Sequence, residues 1–318
     1  EEWPNKVDVR LINPAKSEIG QISKKKLDQI NEAVRQHYGL NQWRSSGQTI
    51  DWFKSIQNKE DLSFLELDIV NFYASISEKL FSDALEFAST VVTITDEDKI
   101  IFNNSHKSFI CKHGKNWIKK NNHWDTTMGS LDGAETCELV RLFLIFLIRK
   151  LIPNFGLYRD DGAGVASLNG VQWTRLTKEL HALMKKHGLS ITISTGHKVM
   201  NFLDVVFNLE NNTYKPYVKP NNKILYVHKM SNHPKNITTN LPTMIQSRLY
   251  DISSNEEMFN QEINIYDKAL KDAGYDIPGL KFEKPVPRSS RRLRKVTWFN
   301  PPFSKEMSSD LTKMFNAC

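Results

Sequence analysis

Apolar residues along this chain recur with two periods, and the changes between them mark out its elements. Alternation from Val7 to Ile12 predicts a strand that Asn13-Pro14 ends. Leu27, Ile30, Ala33 and Val34 then fall at helical spacing behind Lys24, Lys25 and Lys26. Ser63 to Ile69 is an apolar strand, and Glu78 to Ser89 an amphipathic helix with Leu80, Phe81, Ala84, Leu85 and Ala88 as its buried stripe. Residues 90–127 are polar and loop-rich, after which Gly129 and Gly133 open an apolar helix running from Cys137 to Ile148. Phe155, Leu157 and Tyr158 lead into a β-hairpin that turns at Asp161-Gly162 and returns through Ala163 to Ala166. Trp173 to His187 is a second amphipathic helix, capped by Gly188, and Leu189 to Ile193 alternates as a strand. Asn201 to Phe207 and Tyr214 to Val218 flank an Asn211-Asn212 turn as a further hairpin. Ser231 to Pro234 is a stop, and Ile237 to Leu270 carries helical patterns broken at Pro242 and around Ser253-Ser254. Strand, helix, strand, hairpin, helix, strand is the order that an antiparallel sheet backed by two helices requires, so the fold class is α+β.

With 318 residues and 40% hydrophobic content the chain can bury a sizeable core, as one large domain or two to three subdomains. No apolar run approaches the roughly 18 residues needed to span a bilayer, so no membrane partner is expected. The start, Glu1-Glu2-Trp3-Pro4, is neither a signal peptide nor an initiator methionine, and reads as a fragment or a processed chain. Cys111, Cys137 and Cys318 are scattered thiols without zinc spacing, which suits the cytoplasm or nucleus rather than secretion.

A formal charge of +7 favours a polyanionic partner. Lys281, Lys284, Arg288, Arg291, Arg292, Arg294 and Lys295 stand among Pro285 and Pro287 with only Glu283 opposing them. That composition suits a flexible linker that binds nucleic acid or serves as a nuclear address. Trp298 to Phe303 follows as a compact aromatic anchor. Lys112, Lys115, Lys119 and Lys120 interleave with Phe109, Trp117 and Trp124, a mixture that suits phosphates and stacked bases and equally the wet face of a β-hairpin.

The candidate chemistry lies in Tyr158-Arg159-Asp160-Asp161-Gly162. Two neighbouring carboxylates repel each other and call for a cation, although Asp-Asp-Gly is also an ordinary exposed turn. A third carboxylate, Asp68, ends the strand that begins at Ser63. Magnesium takes oxygen ligands and bridges a few carboxylates to substrate phosphates, so three such aspartates suit a two-metal phosphoryl-transfer site.

Asp68, the segment Met128-Gly129-Ser130-Leu131-Asp132-Gly133-Ala134-Glu135 and Tyr158 to Asp161 occur in the order found in reverse transcriptases, which the chain resembles over nearly its whole length. It is similar to those of eukaryotic mobile elements, including the Penelope-like kind. Met128 stands where many reverse transcriptases have Gln, and Gly133-Ala134 where many have Ser-Pro, so the match is to a subgroup.

The resemblance implies a right-hand polymerase with an antiparallel-sheet palm backed by helices. Partial fingers would occupy residues 1–60, the palm 61–200 with a fingers insertion at about 90–127, a primer-grip region 201–230, a helical thumb 231–275, and a basic linker with its anchor 276–318. It implies that Asp68, Asp160 and Asp161, with the backbone carbonyl of Ile69, hold two Mg²⁺ ions that Mn²⁺ can replace. Tyr73 would exclude a 2′-hydroxyl. Arg10 and Lys16 would hold the triphosphate, Gly129 and Ser130 would position the base pair, and Lys198, with His197 as its alternative, would stand near the leaving pyrophosphate. Phe202, Leu203 and Asp204 would form the primer grip, with a structural or solvent-facing role expected for Asp204 itself. The implied partners are an RNA template, a DNA or RNA primer and deoxynucleoside triphosphates; oligomeric state is left open. A basic fingers strand that normally precedes Val7 is missing, which keeps a polymerase-inactive nucleic-acid-binding remnant in view. An RNA-directed RNA polymerase shares the carboxylates, and Tyr73 argues against it.

Overall fold

Short polar side chains fix where the helices begin. Ser17, Ser77, Thr95, Asn169 and Asn255 each accept a hydrogen bond from the backbone N–H three residues on, and Thr95-Asp98 and Asn169-Gln172 close reciprocal capping boxes. A computed structural model describes residues 17–107, 110–117, 124 and 126–284. In chain order these form α1 (Glu18–Tyr38), α2 (Ser46–Ser55), β1 (Ser63–Ile69), the short α3 (Phe72–Ser75), α4 (Glu78–Ser89), α5 (Asp96–Ser105), β2 (Ile110–Lys112), β3 (Lys115–Trp117) and α6 (Gly133–Ile148). There follow β4 (Phe155–Tyr158), β5 (Asp161–Ala166), α7 (Gly170–Lys186), β6 (Ile191–His197), β7 (Val199–Phe202), β8 (Val205–Asn208), β9 (Thr213–Pro216), α8 (Lys235–Asp251) and α9 (Glu256–Asp272). The expected strand at Val7 to Ile12, Arg10, Lys16, Phe109, Lys119, Lys120, the basic stretch beyond Lys284 and the Trp298 to Phe303 anchor lie outside the described residues.

Two compact units are present, Glu1–Gln48 with Gln57–Lys198 and Thr49–Ile56 with Val199–Cys318. The first holds an antiparallel sheet in the order β4-β5-β1-β6. Strand alternation gives β1 two different faces. Leu65, Leu67 and Ile69 are buried in one cluster with Leu80 and Phe81 of α4, Leu139 and Leu142 of α6, and Leu180 and Met184 of α7. Glu66 and Asp68 therefore project from the face opposite these helices. Gly162 leaves room on the helix side for Phe155 and Leu157, whose side-chain atoms lie 2.6 and 2.9 Å from where its Cβ would be.

Beyond β4 the sheet edge is covered by Asn41 to Trp43, with Trp43 N–H donating to Leu157 O at 2.8 Å and Leu157 N–H to Asn41 O at 3.0 Å. Gly156 permits this approach, since a Cβ there would stand 2.5 Å from the Trp43 ring and 2.7 Å from the Asn41 carbonyl oxygen. Gly156→Ala is expected to lower stability by about 2 kcal/mol, read as an earlier denaturant midpoint at unchanged slope.

Two departures from the sequence reading of residues 90–127 have physical causes. Residues 90–127 contain a helix, α5, that starts on the Thr95-Asp98 capping box. Trp124 is 3% exposed, with ring centroids 4.7 Å from His106 and 5.8 Å from Phe81, so it is core and unavailable to stack on bases. Trp117, by contrast, is 60% exposed on the β2-β3 hairpin.

In the second unit β7, β8 and β9 form an antiparallel meander, and Phe53, Phe207 and Tyr214 pack their rings together. The apolar run from Asn201 to Phe207 reads as one strand, but it folds back on itself at Leu203-Asp204. Leu203 takes the left-handed conformation at φ 58°, which a β-turn needs and a leucine seldom adopts. Pro242 lies inside α8 rather than ending it, and the break between α8 and α9 comes only at residues 252–255. No helix among the described residues is long and apolar enough to cross a membrane.

Candidate active site

The register of β1 against β5 sets Asp68 directly opposite Asp161, and residues so paired project from the same face. Tyr158 pairs with Asp161 across β4 and β5, which leaves Arg159-Asp160 as a two-residue turn. Arg159 takes the left-handed conformation at φ 55°, as such turns demand. The turn thus falls two residues earlier than the Asp-Gly signal suggests, because Gly162 is used inside β5 to clear Phe155 and Leu157. Asp160 is at the tip and Asp161 begins the strand. The Ile69 N–H donates to the Asp160 carbonyl oxygen at 3.0 Å, tying the tip to the end of β1.

Lost hydration, and after it the Asp160 carboxylate, raise the Asp68 carboxyl above its ordinary range. Glu66, two positions back on the same face, is raised by burial and partly offset by His197. Among the described residues no three His, Cys, Asp or Glu side chains gather closely enough to hold a metal ion by themselves. The donors that Asp68, Asp160 and Asp161 offer are carboxylate oxygens, the kind that magnesium takes.

Tyr73 follows on α3, half-buried against the helix-side core. Burial, then the neighbouring Cys137, push the phenol above its usual range. Gly129 sits at φ 88° in the turn before α6, and the Ser130 hydroxyl donates to the Thr127 carbonyl at 2.9 Å. Glu135 pairs with Lys24, and Glu138 with Arg35 and with Arg44, so the acidic residues of α6 are tied to the segment from α1 to Arg44.

Lys198 is elsewhere. Antiparallel pairing puts Thr192 beside Asp68 but His197 beside Phe64, four positions and roughly 13 Å away along the strand. The Lys198 ammonium donates to the Glu60 and Leu62 carbonyls at 2.5 and 2.7 Å. Lys198 therefore secures the turn before β1, and neither it nor His197 is kept as a group near a leaving pyrophosphate. Phe202, Leu203 and Asp204 occupy the β7-β8 turn of the second unit, where Asp204 accepts from Arg248 Nε at 3.1 Å and Nη2 at 2.5 Å.

No family model and no curated protein matches the sequence. Solved structures do match. Telomerase from Candida albicans, in complex with a TWJ fragment of telomeric RNA, superposes with a TM-score of 0.54 at 11% identity, over 80% of this chain and 46% of its own. Apo telomerase from Candida tropicalis gives 0.50 at 9% identity over 80% and 48%. The RNA-dependent RNA polymerase of a human picobirnavirus gives 0.50 at 12% identity over 81% and 52%. The fold is a polymerase fold. The chain spans about half the length of these polymerases, and its mixture of helices with an antiparallel sheet is theirs.

Proposed function

We propose that this chain is the catalytic core of an RNA-directed DNA polymerase that extends a primer 3′-hydroxyl with deoxynucleotides. The observation that carries the reading is the pairing of Asp68 with Asp161, with Asp160 at the adjoining hairpin tip, on the face of a polymerase-type sheet opposite its helices. Asp68, Asp160 and Asp161, with the Ile69 carbonyl, would hold magnesium or manganese. Bound there, the ions would neutralise phosphate charge and favour the ionised primer hydroxyl. Asp68 and Asp160 keep the site anionic, and Asp161 fixes the register of the hairpin against β1. Gly129 and Ser130 position the templating base pair. Tyr73 excludes the 2′-hydroxyl, and Phe202, Leu203 and Asp204 hold the primer end. Arg10 and Lys16 are assigned to the triphosphate on the sequence resemblance alone, as is an origin in a mobile element of the Penelope-like kind. RNA as template is supported by the telomerase likeness, and work in cytoplasm or nucleus by the scattered thiols.

A second reading, an RNA-directed RNA polymerase, is favoured by the picobirnavirus likeness and opposed by Tyr73. Primer extension on an RNA template separates them. Deoxynucleotides are expected to be used at least about tenfold more efficiently than ribonucleotides. The opposite preference would establish the RNA polymerase, and bound primer-template without extension would identify a nucleic-acid-binding remnant.

A further inference from the structure

Asp68 has two cross-strand neighbours, and the carboxylate site uses only one of them. On β5 it pairs with Asp161, and on β6 it pairs with Thr192. Residues so paired project from the same face, so Thr192 stands beside Asp68 on the side away from the hairpin. Backbone bonds hold the end of β1 from both sides, with Ile69 N–H donating to Asp160 O at 3.0 Å and Val70 N–H to Ser190 O at 2.9 Å. The place of Thr192 is therefore fixed by the same kind of bonds that place Asp161. Branching at Cβ restricts the χ1 angle of a threonine, which limits the directions its hydroxyl can take. Asp68 and Thr192 are both exposed, whereas Ala163, opposite Glu66, is buried, so this face is open at its Asp68 end. Among the described residues the Thr192 hydroxyl has no hydrogen-bond partner. Ser194, two positions on, is already engaged by His197 at 2.9 Å.

We infer that Thr192 is a binding residue of the proposed polymerase site, whose hydroxyl donates to a phosphate oxygen beside Asp68. The identity of that phosphate rests on the polymerase reading; the pairing of Thr192 with Asp68 does not. Glu66, Asp68 and Asp161 present carboxylates on this face, and an ionised carboxylate only accepts hydrogen bonds. Phosphate oxygens accept as well, so they approach such a face only where a cation or a donor meets them. Ions held by the carboxylates would meet part of that need, and on the β6 side Thr192 supplies the donor. Two phosphates share this chemistry, the triphosphate of the incoming nucleotide and the phosphodiester next to the primer 3′ end.

Steady-state primer extension on an RNA template and fluorescence anisotropy of a labelled primer-template test this in the full chain. Thr192→Val removes the hydroxyl and keeps the branched shape. It is expected to weaken binding of the phosphate about tenfold, as the loss of one hydrogen bond to a charged group does, and Thr192→Ser to restore it. A rise in the KM for deoxynucleotides at saturating primer-template, with primer-template affinity unchanged, assigns the hydroxyl to the triphosphate. A rise in the Kd of primer-template, whether or not KM follows, assigns it to the primer. Values of KM and Kd that both stay within about twofold of the wild type overturn the inference, whatever happens to kcat. Stability is the control. Because the hydroxyl has no partner within the described fold, Thr192→Val should keep the wild-type denaturant midpoint, and an earlier midpoint would give the hydroxyl to the fold and overturn the inference too. If the wild type itself extends no primer, the polymerase reading fails and the role of Thr192 falls with it. A wild type that extends primers, beside a Thr192→Val protein that matches it, leaves the polymerase reading standing and removes Thr192 alone.

Discussion

Asp160→Asn is expected to cut primer extension by roughly three orders of magnitude or more, because a site that stabilises transferring phosphates loses a charge that no neutral amide replaces. The variant keeps the hairpin. The bond that ties the tip to β1 runs from Ile69 N–H to the backbone carbonyl of residue 160 and is indifferent to the side chain. Asparagine also tolerates turn conformations. Stability supplies the control, and its sign follows from Asp68. The Asp68 carboxyl is raised in the folded chain, so the fold disfavours its ionised form. The resulting penalty is absent below the ordinary carboxylate range and grows as pH rises through it. Asp160 is the second cause of that shift, after lost hydration. Removing its charge should therefore leave the melting temperature at neutral pH equal to or slightly above that of the wild type, with the difference vanishing in acid. An Asp160→Asn protein that melts normally and still extends primers at the wild-type rate would remove Asp160 from the site.

Much of the architecture is legible in the chain because local and global preferences agree. Glu78 to Ser89 is a helix with the bounds its pattern gives, since Ser77 caps it and its apolar stripe meets the sheet. The misreadings arise where tertiary packing overrides a strong local signal. Asp161-Gly162 is a good turn dipeptide, yet the space that Gly162 leaves for two core side chains puts it inside β5. Leu203 has no sequence feature that announces a left-handed conformation. Pro242 forfeits one helical hydrogen bond, which the rest of a 17-residue helix outweighs. Lys198 was beyond reach for another reason. Its proximity to a site depends on which end of β1 it meets, and that follows from the direction and register of β6, which composition does not encode.

The turn that carries Gly129 and Ser130 is held by a buried carboxyl group, and its loss should be the most costly change to stability. Asp132, at the N-terminus of α6, is 1% exposed. Its Oδ2 accepts from the Ser23 hydroxyl of α1 at 2.6 Å and from the Ser105 hydroxyl of α5 at 2.5 Å. His106, also 1% exposed, stands 3.8 Å from the same oxygen and 2.9 Å from the Thr136 hydroxyl. One side chain therefore joins three helices, and the partial positive charge of a helix N-terminus favours a negative group there. Asp132→Ala takes the acceptor from both hydroxyls inside the core and uncovers the start of α6. A loss of about 3 kcal/mol is expected, the range for removing one partner of a buried charged network. Ser23→Ala alone should cost only about 1 kcal/mol, because Ser105 still satisfies the carboxyl group. In the double variant the two losses should sum to more than the combined change, since both remove the same bond. Chemical denaturation of the three variants measures this directly. Strict additivity would show that Asp132 and Ser23 are not coupled, and that packing around Gly133 rather than the carboxyl group holds the turn.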